Sequence, residues 1–367
     1  KRTWRLSLRI RITSMALTTV RPEGMGFNTG RRNLIINGAM QVAQRGTSFS
    51  SISSAAYPVD RFFVQDVNSA AGEATVSQST TTPDDFKNSL KIDVTTADTS
   101  LVAADQYKIE HRIEGQNISH LNWGTSAAKT VTLSFWIRSN KTGNTQVGFM
   151  NSANDRAYVA TFTIDTADTW EKKELTVVGD TSGTWLDTNG IGLRLRWGSF
   201  GSTYQTSSVN QWVGSNVISR NDSPINFFDS TDNELYLTGV QLELGENASD
   251  FEHRSFGEEL SLCKRYYVRH SGNIVFAVGQ AYSTSQMIAA VPLQVEMRAN
   301  PTLAHQNIKI RNASGDSADA SSLTISNQTK NFVELLGVRS GSGLTAGNAA
   351  QIRVNTTSDH IDFIAEL

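Results

Sequence analysis

From residue 90 to residue 244 one pattern keeps returning, and it rules out most architectures. Short runs alternate apolar and polar residues: Leu90, Ile92 and Val94; Tyr107, Ile109, His111 and Ile113 against Lys108, Glu110 and Arg112; Val131, Leu133, Phe135 and Ile137 against Thr132, Ser134, Trp136 and Arg138. Tyr158 to Ile164 and Ile191 to Trp197 repeat it. A period of two places the two sets on opposite faces of a strand. Turn formers such as Gly143-Asn144, Asn154-Asp155 and Asn189-Gly190 separate the runs. Parallel strands need crossover helices, and no long helical stretch lies between these runs. The pattern predicts an all-β chain whose main body is an antiparallel β-sandwich of the jelly-roll type. A charged fraction of only 19% and heavy use of Ser, Thr, Asn and Gly suit short strands joined by polar turns.

The stretch from Asn233 to Tyr267 closes that body. Tyr236, Thr238, Val240, Leu242 and Leu244 alternate with Leu235, Leu237, Gly239, Gln241 and Glu243. The apolar phase changes sides near Thr238-Gly239, which predicts a bulge or a start buried on both faces. After Gly245, Ser255 and Glu258 form a capping box. Phe256, Leu260, Cys263 and Tyr267 follow at helical spacing, so one helical face is expected to carry all four. Beyond the helix, Ile274 to Val278, Ile288 to Val295 and several shorter pairs predict a second, smaller β-sandwich. Pro292 demotes its part of that run to an edge or a bulge. The expected organisation is an extended segment over 1–32, a jelly roll over 33–253, a linking helix over 254–268 and a C-terminal β domain over 269–367.

Other features narrow the classes. A formal net charge of −2 points to no nucleic-acid partner. No run of eighteen apolar residues occurs, so no membrane insertion by a helix is expected. Cys263 is the single cysteine, so neither an internal disulfide nor a cysteine-built zinc site can form. The first fourteen residues carry five positive charges but lead into no apolar run, and they read as upstream or added sequence ahead of Met15.

Two blocks carry a family resemblance. NLIINGAMQVAQRGTSF from Asn33, with YPVDRFFV from Tyr57, resembles the opening of tailed-bacteriophage tail-fibre and tail-fibre-like virion proteins. YLTGVQLELG from Tyr236, with FEHRSFGEELSLCKRYY from Phe251, resembles the second block of that family. The resemblance covers about Met15 to Val268. It implies a jelly roll similar to carbohydrate-binding modules and a virion component on the tail or capsid exterior. It further implies a homotrimer that contacts other virion proteins and a host cell-surface glycan.

A sugar site needs exposed aromatic faces with amides or carboxylates beside them. The glycine- and serine-rich loop after Trp197 supplies Tyr204, Gln205, Gln211 and Trp212 as candidates. Trp197 continues the apolar phase of its strand and is read as core, the simpler reading for Trp212 as well. Trp136 sits on the polar phase of its strand and joins the candidate set; a cross-strand partner and an intersubunit contact are its other readings, the last favoured in a trimer. Arg194 and Arg196 share an outward face, where cross-strand pairing is the simpler role. Asp165 with Asp168, and Asp229 with Asp232, supply too few oxygens for a calcium site by themselves, although structural calcium suits this class of fold. No cofactor is expected. Glu110 and Glu114 belong to no catalytic motif, His111 reads as a core or interface residue, and the chain is expected not to be an enzyme. The competing readings are a capsid decoration or adaptor protein without host contact, a non-viral carbohydrate-binding module, and a polysaccharide depolymerase. The last is weakened by the missing catalytic signature.

Overall fold

The structure is a computed structural model that describes residues 32–52, 55–67 and 71–367. The extended segment expected over 1–32 therefore lies, but for Arg32, outside the described residues. Among the described residues the chain is all-β apart from one nine-residue helix, Phe256–Lys264, and short helical turns. The described strands pair antiparallel, with one exception, a two-residue parallel pair between Gln205–Thr206 and Ser219–Arg220.

Two sheets form the jelly roll. In the six-stranded sheet the order is Ser48–Phe49, Glu73–Ser79, Ser89–Thr96, Glu234–Leu244, Val131–Ser139, Glu171–Val177. The seven-stranded sheet runs Trp212–Val213, Ala157–Ile164, Gly143–Met150, Ile191–Phe200, Gln106–Glu114, Phe62–Val67, Ala56–Val59. Their inward phases meet in one apolar core that includes Leu133, Phe135, Ile137, Ile109, Leu195 and Trp197. Alternation along each strand is what lets both sheets bury one face.

Glu234–Leu244 shows why its phase slips. Its register against Val131–Ser139 shifts between Thr238 and Gln241, and Gly239 takes a left-handed φ of 61° at the bulge. Before the bulge its second neighbour is Ser89–Thr96. After it, residues 33–38 take over that edge: Leu34 N–H donates to Leu242 O at 2.9 Å, and Val240 N–H to Gly38 O at 3.0 Å. A Cβ at Gly38 would lie 2.1 Å from Val240 O, so only glycine permits this approach.

The C-terminal β region differs from the smaller sandwich expected. Ile274–Ala281 pairs with both Gln286–Pro292 and Ala349–Val354, and six strands close into a barrel. Closure removes the edges that a sandwich would leave open. It is helped by a bulge between Val275 and Ala277 and by small inward residues, Ala277, Ala281, Ala289 and Ala350. Pro292 is the last residue of its strand, at a point where only Phe332 is registered beside it, so its missing N–H costs no ladder bond. A three-stranded sheet, Tyr267–Ser271, His360–Ile364 and Thr302–Gln306, flanks the barrel.

The helix is capped as predicted, with Glu258 N–H donating to Ser255 Oγ at 3.3 Å. Its buried face keeps Leu260 and Cys263 of the expected set but is rotated away from Phe256. Phe256 is 56% exposed, and Tyr267 has already entered the following strand. The buried stripe runs through Glu259 and Cys263. Glu259 turns that side inward because it accepts from Asn37 N–H at 2.6 Å and pairs with Arg254 at 3.4 Å. Cys263 and Tyr266 then pack with Ile36 and Val42 of the jelly roll. Arginines complete the joint. Arg61 lies 3.5 Å from the Tyr266 ring centre and pairs with Glu366, and Arg265 meets Glu114 at 3.1 Å.

Candidate functional site

The outer face of the six-stranded sheet holds a groove of about 570 Å³. It is built where the bulge removes a side chain. Residue 239 falls between the rings of Phe86 and Trp136, and a Cβ there would lie 2.7 Å from Phe86 Cζ and 2.9 Å from Trp136 Cδ1. Glycine leaves that floor open. Trp136 stands on the outward phase of Val131–Ser139, registered with Lys172 on one side and Thr238 on the other. Phe86 comes from the turn before Ser89–Thr96, and Phe251 and His253 come from the segment leading into the helix. These three rings pack edge-on or tilted, with centroids 5.1 Å apart for Phe86–Phe251, 5.3 Å for Phe86–His253 and 4.9 Å for Phe251–His253. Trp136, Phe86 and Phe251 are half-buried, so each ring is held by packing yet keeps surface toward the groove. Asp84, Asp85, Asp250 and Lys172, all exposed, line the rim. Aromatic floor with polar rim is the arrangement that takes the apolar face of a sugar ring while orienting its hydroxyls.

The remaining sugar-binding candidates lie elsewhere. Trp212 pairs with Tyr158 at the edge of the seven-stranded sheet and packs against Trp123 and Trp185, each at 5.3 Å between centroids. Its indole N–H donates to Val178 O at 2.7 Å, so its polar atom is committed, while its ring is half-buried in this aromatic cluster. Tyr204 packs on a small cluster of Met150, Ala157, Phe200 and Ile218. Gln205 donates to Phe200 O at 2.9 Å, while Gln211 is exposed. Trp136 alone of the five lines the groove. Trp197 is 2% exposed, in the core.

Residues around Ile218 cover the outer face of the seven-stranded sheet: a Cβ at Gly148 would lie 2.3 Å from Ile218 Cγ2. Glu110 is fully buried there. Its carboxylate pairs with Arg196 at 2.6 Å, Arg194 at 3.1 Å, Lys108 at 3.8 Å and Arg112. Burial pushes its pKa up, but the guanidinium groups of Arg196 and Arg112 prevail and bring it down to about 2. Glu110 is therefore ionised at neutral pH and serves as a hub for cross-strand pairs, with Arg194 and Arg196 as partners. Burial, with help from Arg196, lowers the Lys108 ammonium to about 8. His111 is buried against Phe62, and burial, then Arg61, holds it well below its usual value.

The aspartate pairs weighed for calcium have partners within the protein. Asp165 meets Lys173 at 2.9 Å, Asp168 meets Arg138 at 3.0 Å, and Asp229 meets Lys141. Among the described residues no group of three or more His, Cys, Asp or Glu side chains is arranged to hold a metal ion. No helix among them is long and apolar enough to cross a membrane.

No family model matches the chain. No curated protein matches it either. Among solved structures, one similar to 58% of this chain is the enzymatically active domain of tailspike protein 4 of bacteriophage CBA120, at 11% identity and a TM-score of 0.30; the chain spans 21% of that structure's length. A xylan-binding domain from Paenibacillus barcinonensis is matched over 57% of this chain and 98% of its own, at 13% identity and a TM-score of 0.29. A family 11 carbohydrate-binding module from a Clostridium thermocellum cellulase is matched over 55% and 97%, at 8% identity and a TM-score of 0.27. At this level of likeness no ligand or activity carries over.

Proposed function

We propose that this chain is a glycan-binding virion component of the tail-fibre or spike type, acting without catalysis. The groove carries the reading: a half-buried Trp136 beside Phe86 and Phe251, opened by a glycine at a bulge and rimmed by carboxylates. The phage role is supported by the two sequence blocks that resemble tail-fibre proteins. It brings with it a homotrimer on the virion exterior, in contact with other virion proteins. The non-catalytic reading is supported by the carboxylates themselves. Glu110 is ionised and buried among cations, and the groove aspartates are exposed, whereas a glycosidase holds its general acid in an apolar pocket.

A glycan array with the intact chain and with Trp136→Ala tests this. Losing a stacked anchor of this kind lowers affinity about thirtyfold, the equivalent of about 2 kcal/mol. Far-UV circular dichroism checks that the variant is folded. Unchanged glycan binding by folded Trp136→Ala, or no glycan binding by the parent chain, overturns the reading. A monomeric mass in solution would remove the trimer from it.

A further inference from the structure

The rim of the groove has a charge pattern that an aromatic platform for neutral sugars does not need. Asp84, Asp85 and Asp250 line it, against Lys172 and against His253, which adds a positive charge when protonated. Lys172 also faces Glu174 at 2.8 Å, so its charge is shared with a carboxylate outside the groove. The rim is net negative around three aromatic faces, those of Trp136, Phe86 and Phe251. Aromatic faces attract cations as well, since the ring quadrupole is negative above its plane. Carboxylates and ring faces thus favour the same ligand charge, and they occupy one cavity.

Resting on the reading of this groove as a sugar platform, we infer that it selects amine-bearing sugars, hexosamines with a free ammonium group, and turns away acidic ones such as uronic acids. The ring stacks on Trp136, and the ammonium is held between an aromatic face and the carboxylates of Asp84 and Asp85. An exposed ion pair at contact distance typically changes affinity by about threefold, and the factors multiply, so two carboxylates acting on one ammonium amount to about tenfold. An acidic sugar meets the same carboxylates with the opposite sign.

The test is calorimetric titration of the full chain at mildly acidic pH, where the sugar amine is protonated. Three ligands of equal length are compared: a glucosamine oligomer, its N-acetylated neutral counterpart and a galacturonate oligomer. The expected order is glucosamine about tenfold tighter than N-acetylglucosamine, with galacturonate weakest and the spread narrowing as salt is added. The double variant Asp84→Asn with Asp85→Asn brings the ratio of the first two close to one. Asparagine suits residue 85, whose φ is 70° in the left-handed region, so the variant keeps the turn. Equal affinities for the amine and N-acetyl oligomers, tighter binding of galacturonate, or a ratio that survives the double variant each overturn the inference while leaving the platform reading in place. No heat with any of the three overturns both.

Discussion

Replacing Glu110 by Gln keeps the shape of the side chain and removes its charge. In the folded protein that carboxylate is completely buried, with four cations around it: Arg196 at 2.6 Å, Arg194 at 3.1 Å, Lys108 at 3.8 Å and Arg112. Its pKa falls from 4.5 to about 2, which corresponds to about 3 kcal/mol of folding stability. The sign follows from linkage. A depressed carboxylate stabilises fully above its unfolded value of 4.5, and the contribution drains away as pH falls toward 2. Glu110→Gln should therefore cost about 3 kcal/mol at neutral pH, within the usual range for breaking a buried pair. The gap to the parent should close progressively in acid, because the parent then loses the same charge. Urea unfolding of both proteins at matched pH values, from neutral to below 3 (on the order of the folded value), measures the difference directly. Other carboxylates titrate equally in both proteins and cancel. A loss under about 1 kcal/mol at neutral pH, or a gap that stays constant through the acid range, would refute the claim that Glu110 works as an ionised hub.

Two further substitutions probe the groove and the joint. Gly239→Ala adds a methyl group between Phe86 and Trp136 at a residue whose φ is 61°, so it should destabilise by about 1–3 kcal/mol and reduce glycan binding by filling the floor. Thermal unfolding and titration with a bound glycan check the two effects separately. Glu259→Ala leaves the Asn37 N–H and the Arg254 guanidinium without their shared acceptor in a buried place. It should cost about 2–4 kcal/mol by chemical denaturation, with proteolysis near the linking helix rising first.

Much of the fold was legible because strand phase is a local property. Trp197 could be placed in the core from its neighbours Leu193 and Leu195, and Gly239 could be marked as a bulge from a change of phase. Ser255 and Glu258 announced the helix start. What escaped notice depends on partners far away in sequence. The strand Glu171–Val177 carries mostly charged residues and shows its role only when paired with Val131–Ser139. Barrel closure requires knowing that Ile274–Ala281 meets Ala349–Val354. The rotation of the helix, which leaves Phe256 exposed, comes from Asn37 and Arg254 gripping Glu259, and a moment of apolar spacing cannot foresee a buried acid. The groove was half legible. Trp136 stood out by its phase, but Phe86, Phe251 and His253 lie in irregular segments with no period to read, and only folding brings them together.

The two blocks that resemble tail-fibre proteins turn out to bind each other. Asn33 accepts from Leu242 N–H at 3.1 Å and donates through its amide to Val240 O at 3.2 Å. Its own N–H reaches Glu252 at 2.7 Å, while Arg254 donates to Ile35 O at 3.0 Å and Asn37 meets Glu259. The residues of the two blocks thus form the joint between the jelly roll and the helix, where a substitution on one side strands a buried partner on the other. Most of the groove's lining, Asp84 to Phe86 and Trp136 with Lys172, comes from outside those blocks. A resemblance carried by the joint bears on architecture and is silent about any ligand of the groove. Under the proposed reading, variation in the Asp84–Asp85 turn would change ligand preference without loosening the frame that holds it.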